Sequence, residues 1–148
     1  MILPDLNLLV YAHNPRAVQH PEALLWWGQC LASNEGIALA WIVISGFVRI
    51  TTHPKLFERP MSVEDAVGRV EEWLSLPHVH LVHPSQSHFT TWSSLLKQIG
   101  TAGNLTTDAH LAALAMERNL ILQTNDADFA RFSGLKWNNP LQKNELGN

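Results

Sequence analysis

Four aspartates carry the chemistry open to this sequence: Asp5, just after the first apolar residues, and Asp108, Asp126 and Asp128, within the stretch Asn104 to Phe132. Carboxylates with no cysteine or suitably placed histidine among them suit a hard cation. Mg²⁺ or Mn²⁺ takes oxygen ligands, at about 2.0–2.1 Å for Mg²⁺, and keeps several waters. One or two such ions can polarise a phosphodiester, orient water and stabilise the leaving oxygen. Without a cation, crowded acids repel and raise one another's pKa. Two of the acids also have a local role open to them. Asp108 can be a helix-start acid, and Asp126 can cap the turn that contains Phe129. Asp5 follows a buried strand and has no evident capping duty.

The elements that must position these acids can be read from periodicity and punctuation. Ile2 and Leu3 begin a strand that ends at Pro4-Asp5, and Leu6 to Ala12 reads as a buried helical turn. Pro21 to Ala32 keeps helical spacing, and Pro21 is acceptable in a first turn. Ile37 to Ala40 predicts a second strand. Trp41 to Thr51 is rich in β-branched residues, yet Ile44, Phe47 and Val48 keep the i, i+3, i+4 spacing of a helix, and a strand from Ile37 to Ile50 would be too long. Ser62-Val63-Glu64-Asp65 starts another helix in near capping-box form. His78 to His83 alternates as a third strand. A helix follows from about Gln86 to Ile99 with Phe89, Trp92, Leu95, Leu96 and Ile99 expected inward, closed by Gly100 and Gly103.

Thr107 is the expected N-cap of the next helix, with Asp108 at its first position, where a carboxylate meets the positive end of the macrodipole. Asn119 can end that helix in the left-handed conformation. Leu120 to Thr124 reads as a fourth strand buried on both faces, and Leu135-Lys136-Trp137 as an edge strand. Residues 138–148 are polar and expected to fray. The assigned domain is 1–141, with 142–148 as its frayed tail.

Strands alternating with helices imply parallel pairing and right-handed crossovers, and ligands then gather beyond the carboxyl ends of the strands. Asp5 ends strand one, and Asp126 and Asp128 follow strand four. Asp108 joins them if its helix runs antiparallel to strand four, starting from the same edge of the sheet.

Composition bounds the rest. A chain of 148 residues with 46% hydrophobic and 16% charged residues predicts a compact globule with a real core. No apolar run has the length of a membrane span, and the N-terminus lacks a basic region followed by a cleavable apolar stretch, so the protein is expected in the cytoplasm. Cys30 is the one cysteine and reads as a small core residue. The net charge of −3 does not advertise nucleic-acid binding. An acidic metal centre lowers net charge while local arginines still meet phosphates, so a nuclease is not excluded.

Four segments in register resemble the PIN domain: Asp5-Leu6-Asn7-Leu8-Leu9-Val10-Tyr11-Ala12, Phe47-Val48-Arg49-Ile50, Asp108-Ala109-His110-Leu111-Ala112-Ala113-Leu114-Ala115 and Thr124-Asn125-Asp126-Ala127-Asp128-Phe129. More narrowly they are similar to the VapC toxins of bacterial toxin–antitoxin pairs. Thr52-His53-Pro54 and Trp137-Asn138-Asn139-Pro140-Leu141 are similar to a branch abundant in mycobacteria. The resemblance implies an α/β/α sandwich around a short, mostly parallel sheet. It implies Mg²⁺- or Mn²⁺-dependent endoribonuclease cleavage of structured RNA, often tRNA or rRNA, inhibited by a cognate VapB-like antitoxin. By position, Asp5, Asp108 and Asp126 match catalytic metal acids, and Asp128 an auxiliary ligand, directly or through water.

One departure stands out. Where that family commonly has a glutamate just before the Phe-Val-Arg-Ile segment, this chain has Gly46. Loss of a carboxylate would weaken metal binding or confine it to one ion. It also keeps a rival open, a catalytically degenerate PIN domain that binds RNA or an antitoxin. A phosphatase reading lacks the second acid of Asp-x-Asp at Asp5-Leu6-Asn7, and a receiver reading lacks its phosphoacceptor and lysine.

Other residues are assigned around this core. Asn7 and Thr124 are expected to hydrogen-bond the ligand carboxylates, with Asn104 and Thr107 as further candidates. Arg49 is expected to touch RNA phosphate or pair with an aspartate, and Lys55 and Arg131, with Arg59, to contact the RNA backbone. His78, His80 and His83 do not converge on zinc. His110 faces away from Asp108 and is assigned to packing. Adjacent Trp26 and Trp27 cannot share one core direction, so one of them is expected at the periphery or in an interface, with an antitoxin or with a second copy in a homodimer.

Overall fold

The computed structural model describes residues 1–142. Five strands form one sheet in the order β3-β2-β1-β4-β5 and every neighbouring pair is parallel. They are β1 (Ile2–Pro4), β2 (Ile37–Ala40), β3 (Val79–Val82), β4 (Ile121–Gln123) and β5 (Trp137–Asn138). Between them lie α1 (Leu6–His13), α2 (His20–Ala32), α3 (Trp41–Thr51), α4 (Val63–Leu74), α5 (His88–Ile99) and α6 (Leu105–Glu117). The architecture is the expected α/β sandwich.

The connections explain where the helices sit. The chain steps from β1 through β2 to β3 in one direction along the sheet, then returns across it to β4. Right-handed crossovers in opposite directions place their helices on opposite faces. Accordingly α2 packs on α1, α1 on α3 and α3 on α4, while α5 and α6 pack on each other. Leu3, Leu39 and Leu122 are completely buried between the layers.

The sequence fixes several boundaries through local chemistry. Trp41 to Thr51 is helical despite its β-branched content, and follows β2 without an intervening loop. Its Val43, Ile44 and Phe47 turn inward at helical spacing. The Ser62 hydroxyl caps α4 by accepting from the Asp65 backbone N–H at 3.1 Å. Gly100 (φ 81°) ends α5 in the left-handed conformation, and Asn119 (φ 52°) does so after α6.

Four expectations are corrected. Helix α6 starts at Leu105 with Asn104 as its N-cap, so Thr107 is no cap and Asp108 lies inside the first turn. The buried Leu105 side chain draws one more segment of chain into the helix than capping chemistry suggested. Phe89 is not inward; it is 72% exposed, and Leu95 is the buried residue of α5. Strand β4 is not sealed on both faces, because Ile121 is 39% exposed. Asn138 is paired in β5 rather than frayed, and the Asn139 amide donates to Asn125 Oδ1 at 3.0 Å. Apart from Gln142, the expected tail of 142–148 lies outside the described residues.

Trp27 is the core member of the adjacent pair, 3% exposed, and Trp26 is half-buried against it with ring centroids 5.7 Å apart.

Candidate metal centre

Pro4 is in register with Gln123, so the residues that follow them, Asp5 and Thr124, emerge side by side at the carboxyl edge of the sheet. The Asp5 backbone N–H donates to the Gln123 carbonyl at 2.8 Å, extending the ladder by one step. Asp5 does have a capping duty, contrary to the expectation: its Oδ1 accepts from the Leu6 N–H at 2.7 Å and caps α1. Its Oδ2 accepts from the Thr124 hydroxyl at 2.7 Å. Each carboxylate oxygen has a second lone pair, so neither bond precludes metal ligation.

Thr124 is fully buried and also accepts from the Asp126 N–H at 3.0 Å. Asp126 in turn caps a 3₁₀ turn, Ala127–Arg131, by accepting from the Asp128 N–H at 2.9 Å. Asp108 reaches the same edge from the first turn of α6. Asp5, Asp108 and Asp126 line one cleft of about 150 Å³, together with Leu6, Asn7, Ile42, Val43, Thr107 and Leu111. Asp128 is exposed and outside that lining.

The electrostatics record the crowding. Burial, then the charges of Asp5, Asp126 and Asp128, push the Asp108 carboxyl up to about 6. Burial also raises Asp5, assisted by the Asp126 charge and opposed by the bonds from Thr124 and Leu6. An all-oxygen donor set under mutual repulsion matches a hard divalent cation. Among the described residues no three His, Cys, Asp or Glu side chains form a preassembled metal-binding group.

Gly46 is not among the residues that line this cleft. It is buried in α3, and a Cβ built on it would sit 2.5 Å from Leu6 Cδ2. The α3 wall of the cleft is Ile42 and Val43, one turn earlier. Leu6 thus occupies the space where a longer side chain at position 46 would have to pass.

The remaining assigned residues are placed as follows. Asn7 is exposed, lines the cleft and makes no side-chain hydrogen bond to a carboxylate among the described residues. Asn104 makes no side-chain cap bond. Arg49, Lys55 and Arg131 are exposed and take part in none of the ion pairs among the described residues, so the alternative of an Arg49–aspartate pair is not realised. Arg59 borders a separate cavity of about 450 Å³ near His13 and Phe57, where Arg16 pairs with Glu58 at 2.8 Å. His78 is turned to the Cys30 carbonyl at 3.2 Å. His110 is hydrogen-bonded to His88 at 2.8 Å rather than simply packed. Sequence reasoning missed Ile42 and Val43 as cleft walls and the partnership of His110. The first was accessible from the direct β2–α3 junction, the second only from the fold.

Comparison with known proteins bears on the family and the fold. The PIN domain model matches residues 2–135. Ribonuclease VapC33 of Mycobacterium tuberculosis is 40% identical over 143 residues, covering 97% of this chain and 100% of that protein. Ribonuclease VapC37 of the same species is 38% identical over 140 residues, covering 95% and 97%. Among solved structures, a chain of FitAB bound to an IR36 DNA fragment superposes with a TM-score of 0.73 at 15% identity, covering 99% of both chains. A chain of VapBC-1 from nontypeable Haemophilus influenzae gives 0.65 at 18% identity, covering 96% and 100%. At such identities the structural matches speak to fold.

Proposed function

The chain belongs to the PIN-domain family, and from that premise we propose that it is a metal-dependent endoribonuclease, the toxin of a toxin–antitoxin pair. The observation that carries the reading is the convergence of Asp5, Asp108 and Asp126 on one cleft at the carboxyl edge of the sheet. The relatives' names give the reaction class, and full-length coverage at 40% identity supports its transfer.

In this reading Asp5, Asp108 and Asp126 hold a divalent cation, Mg²⁺ in the first instance and Mn²⁺ as a substitute, with Asp128 contributing directly or through water. Once bound, the cation would supply Lewis-acid activation of water and charge neutralisation at the scissile phosphate. The chain's own contribution is preorganisation. Leu6 N–H and Thr124 hydroxyl fix the Asp5 carboxylate, and Thr124 also anchors the backbone of Asp126. Ile42, Val43 and Leu111 make the apolar side of the cleft, which lowers the local dielectric around the acids. The exposed cations Arg49, Lys55 and Arg131 are the proposed phosphate contacts beyond it, and Asn7 the polar group at the mouth.

The substrate is structured RNA, tRNA or rRNA, met in the cytoplasm. Among the described residues no helix is long and apolar enough to cross a membrane. The proposed partner is a VapB-like antitoxin, as in the VapBC complexes that share the fold. Residues 1–141 are the proposed functional domain.

Gly46 favours a second reading, a degenerate domain that binds RNA or antitoxin without cleavage. Incubation of partner-free protein with total RNA and Mg²⁺ or Mn²⁺, beside Asp5→Asn and an EDTA control, separates the two. Cleavage by the wild type alone, lost with EDTA, supports the nuclease. Equal cleavage by Asp5→Asn removes the reaction from this cleft, and no cleavage with retained antitoxin binding favours the degenerate domain.

A further inference from the structure

Beside the acid cleft, and sharing its residues Ile42 and Thr107, lies a groove of about 300 Å³ between α5 and α6. Its remaining lining is His88, Phe89, Trp92, Thr106 and His110. Three observations there go unused by the proposed metal chemistry.

The first is a hydrogen-bonded chain. Glu117 Oε2 is 3.0 Å from His88 Nδ1, and His88 Nε2 is 2.8 Å from His110 Nδ1. The Glu117 side chain is only 5% exposed and His88 16%. The Ser85 N–H supports the same carboxylate oxygen at 3.3 Å. With both rings neutral, hydrogen bonding assigns the tautomers. A carboxylate accepts, so His88 carries its proton on Nδ1 and presents a lone pair at Nε2. His110 must then donate from Nδ1, which leaves its own Nε2 as an acceptor. That Nε2 makes no hydrogen bond among the described residues, and the ring lines the groove. The chain thus runs from a buried acid to an unfilled acceptor at the groove surface.

The second is the aromatic wall. Phe89 is 72% exposed, although it lies one turn from Trp92, with ring centroids 5.8 Å apart. The Trp92 indole N–H donates to the Thr106 carbonyl at 3.0 Å, so this ring is fixed to α6. An open ring beside a fixed one is a stacking platform that every nucleobase can use.

The third is position. The groove continues from the carboxylate cleft, so a strand whose phosphate lies at the acids would carry its neighbouring nucleotide across it. Phosphate oxygens only accept and do not match an acceptor nitrogen. A ribose 2′-hydroxyl can donate, and it is the group that distinguishes RNA from DNA.

We propose that this groove is the subsite for the nucleotide next to the scissile phosphate, with the base stacked on Phe89 and the ribose 2′-hydroxyl donating to His110 Nε2. Glu117 and His88 are positioning residues, which hold the acceptor tautomer. The proposal rests on the ribonuclease reading for its choice of substrate, but its test is a binding measurement and does not require turnover.

The probe is a fluorescein-labelled mixed-sequence RNA dodecamer beside DNA of the same sequence, titrated by anisotropy against Asp5→Asn protein in Mg²⁺. Asp5→Asn prevents strand loss. The expected result is RNA binding about tenfold tighter than DNA, the value of one good hydrogen bond. His110→Phe, which keeps the ring volume, should bring the two affinities together. His110→Gln, which keeps an acceptor near Nε2, should retain much of the preference. Phe89→Ala, at an exposed position, should weaken both strands equally, by about fivefold or more. Unchanged RNA preference in His110→Phe overturns the ribose contact, and unchanged affinity in Phe89→Ala overturns the stacking platform. Thermal melts establish that each variant is folded, and Phe89→Ala remains decisive if the histidine variants are not. Failure of the nuclease reading appears separately, as absent cleavage of total RNA by the wild type.

Discussion

The Thr124 hydroxyl donates to Asp5 Oδ2 at 2.7 Å while accepting from the Asp126 N–H at 3.0 Å. A fully buried side chain therefore couples the end of β1 to the loop after β4, and two of the three cleft acids depend on it. Thr124→Val keeps the volume and removes the hydroxyl. It leaves the Asp126 N–H without its acceptor and removes one of the two hydrogen bonds that hold the Asp5 carboxylate. The expected loss is about 1–3 kcal/mol of stability in urea unfolding, from a buried donor left unsatisfied. Apparent Mg²⁺ affinity should fall about 10–100-fold, as for other partners of ligating groups. Thr124→Ser should recover most of both, and a Mg²⁺ titration of cleavage beside the urea curves checks it.

The Gly46–Leu6 contact predicts that restoring a carboxylate at position 46 will not restore a ligand. A Cβ there meets Leu6 Cδ2 at 2.5 Å and Cδ1 at 3.3 Å, so the leucine must turn away. Replacing a helical glycine by alanine gains about 1 kcal/mol of propensity, while turning the end of the half-buried Leu6 side chain costs about 0.5–1.5. Gly46→Ala is therefore expected to be near neutral, and Gly46→Glu destabilising. Leu6→Ala should relieve the clash, giving the double variants a favourable coupling energy in a double-mutant cycle. Cleavage in Mg²⁺ should not rise in Gly46→Glu alone.

The sequence made the sheet legible because its signals were local. Ile37 to Ala40 is a short fully buried run, and the spacing of Ile44, Phe47 and Val48 outweighed β-propensity in α3. The four aspartates were legible for the same reason, each lying at the end of a readable element. What was not legible depended on contacts made far along the chain. Asp5 caps α1, but a short helix directly after a strand leaves weak periodicity from which to infer a cap. Phe89 fits an inward stripe by spacing, yet α5 packs on α6 with Leu95 buried and leaves the Phe89 ring open. His88, His110 and Glu117 meet across separations of 22 and 29 residues, which no local pattern encodes.

Cys30 offers a check on packing around α2. Burial, then the Glu35 charge, pushes its thiol up to about 11. The thiolate is the reactive species, so alkylation by iodoacetamide at neutral pH should run about two orders of magnitude slower in the folded protein than in urea. Comparable rates in both would mean that α2 is not packed as described.

Asp108 contributes a pH dependence to the metal-free protein. Burial and the neighbouring acids push its carboxyl up to about 6 in the folded protein, from an ordinary value of 3.8. The folded state therefore binds more protons than the unfolded state between these values. Stability is greatest below the unfolded value, falls as pH rises through about 6, and is flat above. Asp108 is half-exposed, so solvent screening reduces the effect to about 1 kcal/mol. Asp108→Asn carries no charge at any pH, so it should flatten this part of the profile and be more stable than the wild type at pH 7 in EDTA. Saturating Mg²⁺ should reverse the order, because the cation stabilises the wild type by mass action and has one ligand fewer in the variant. Thermal melts of both proteins at about pH 4.5, inside the window, and at about pH 7, one unit above it, with EDTA and with Mg²⁺, decide the matter. A wild type that is more stable than Asp108→Asn in EDTA at pH 7 would show that the acids are paired by something other than a cation.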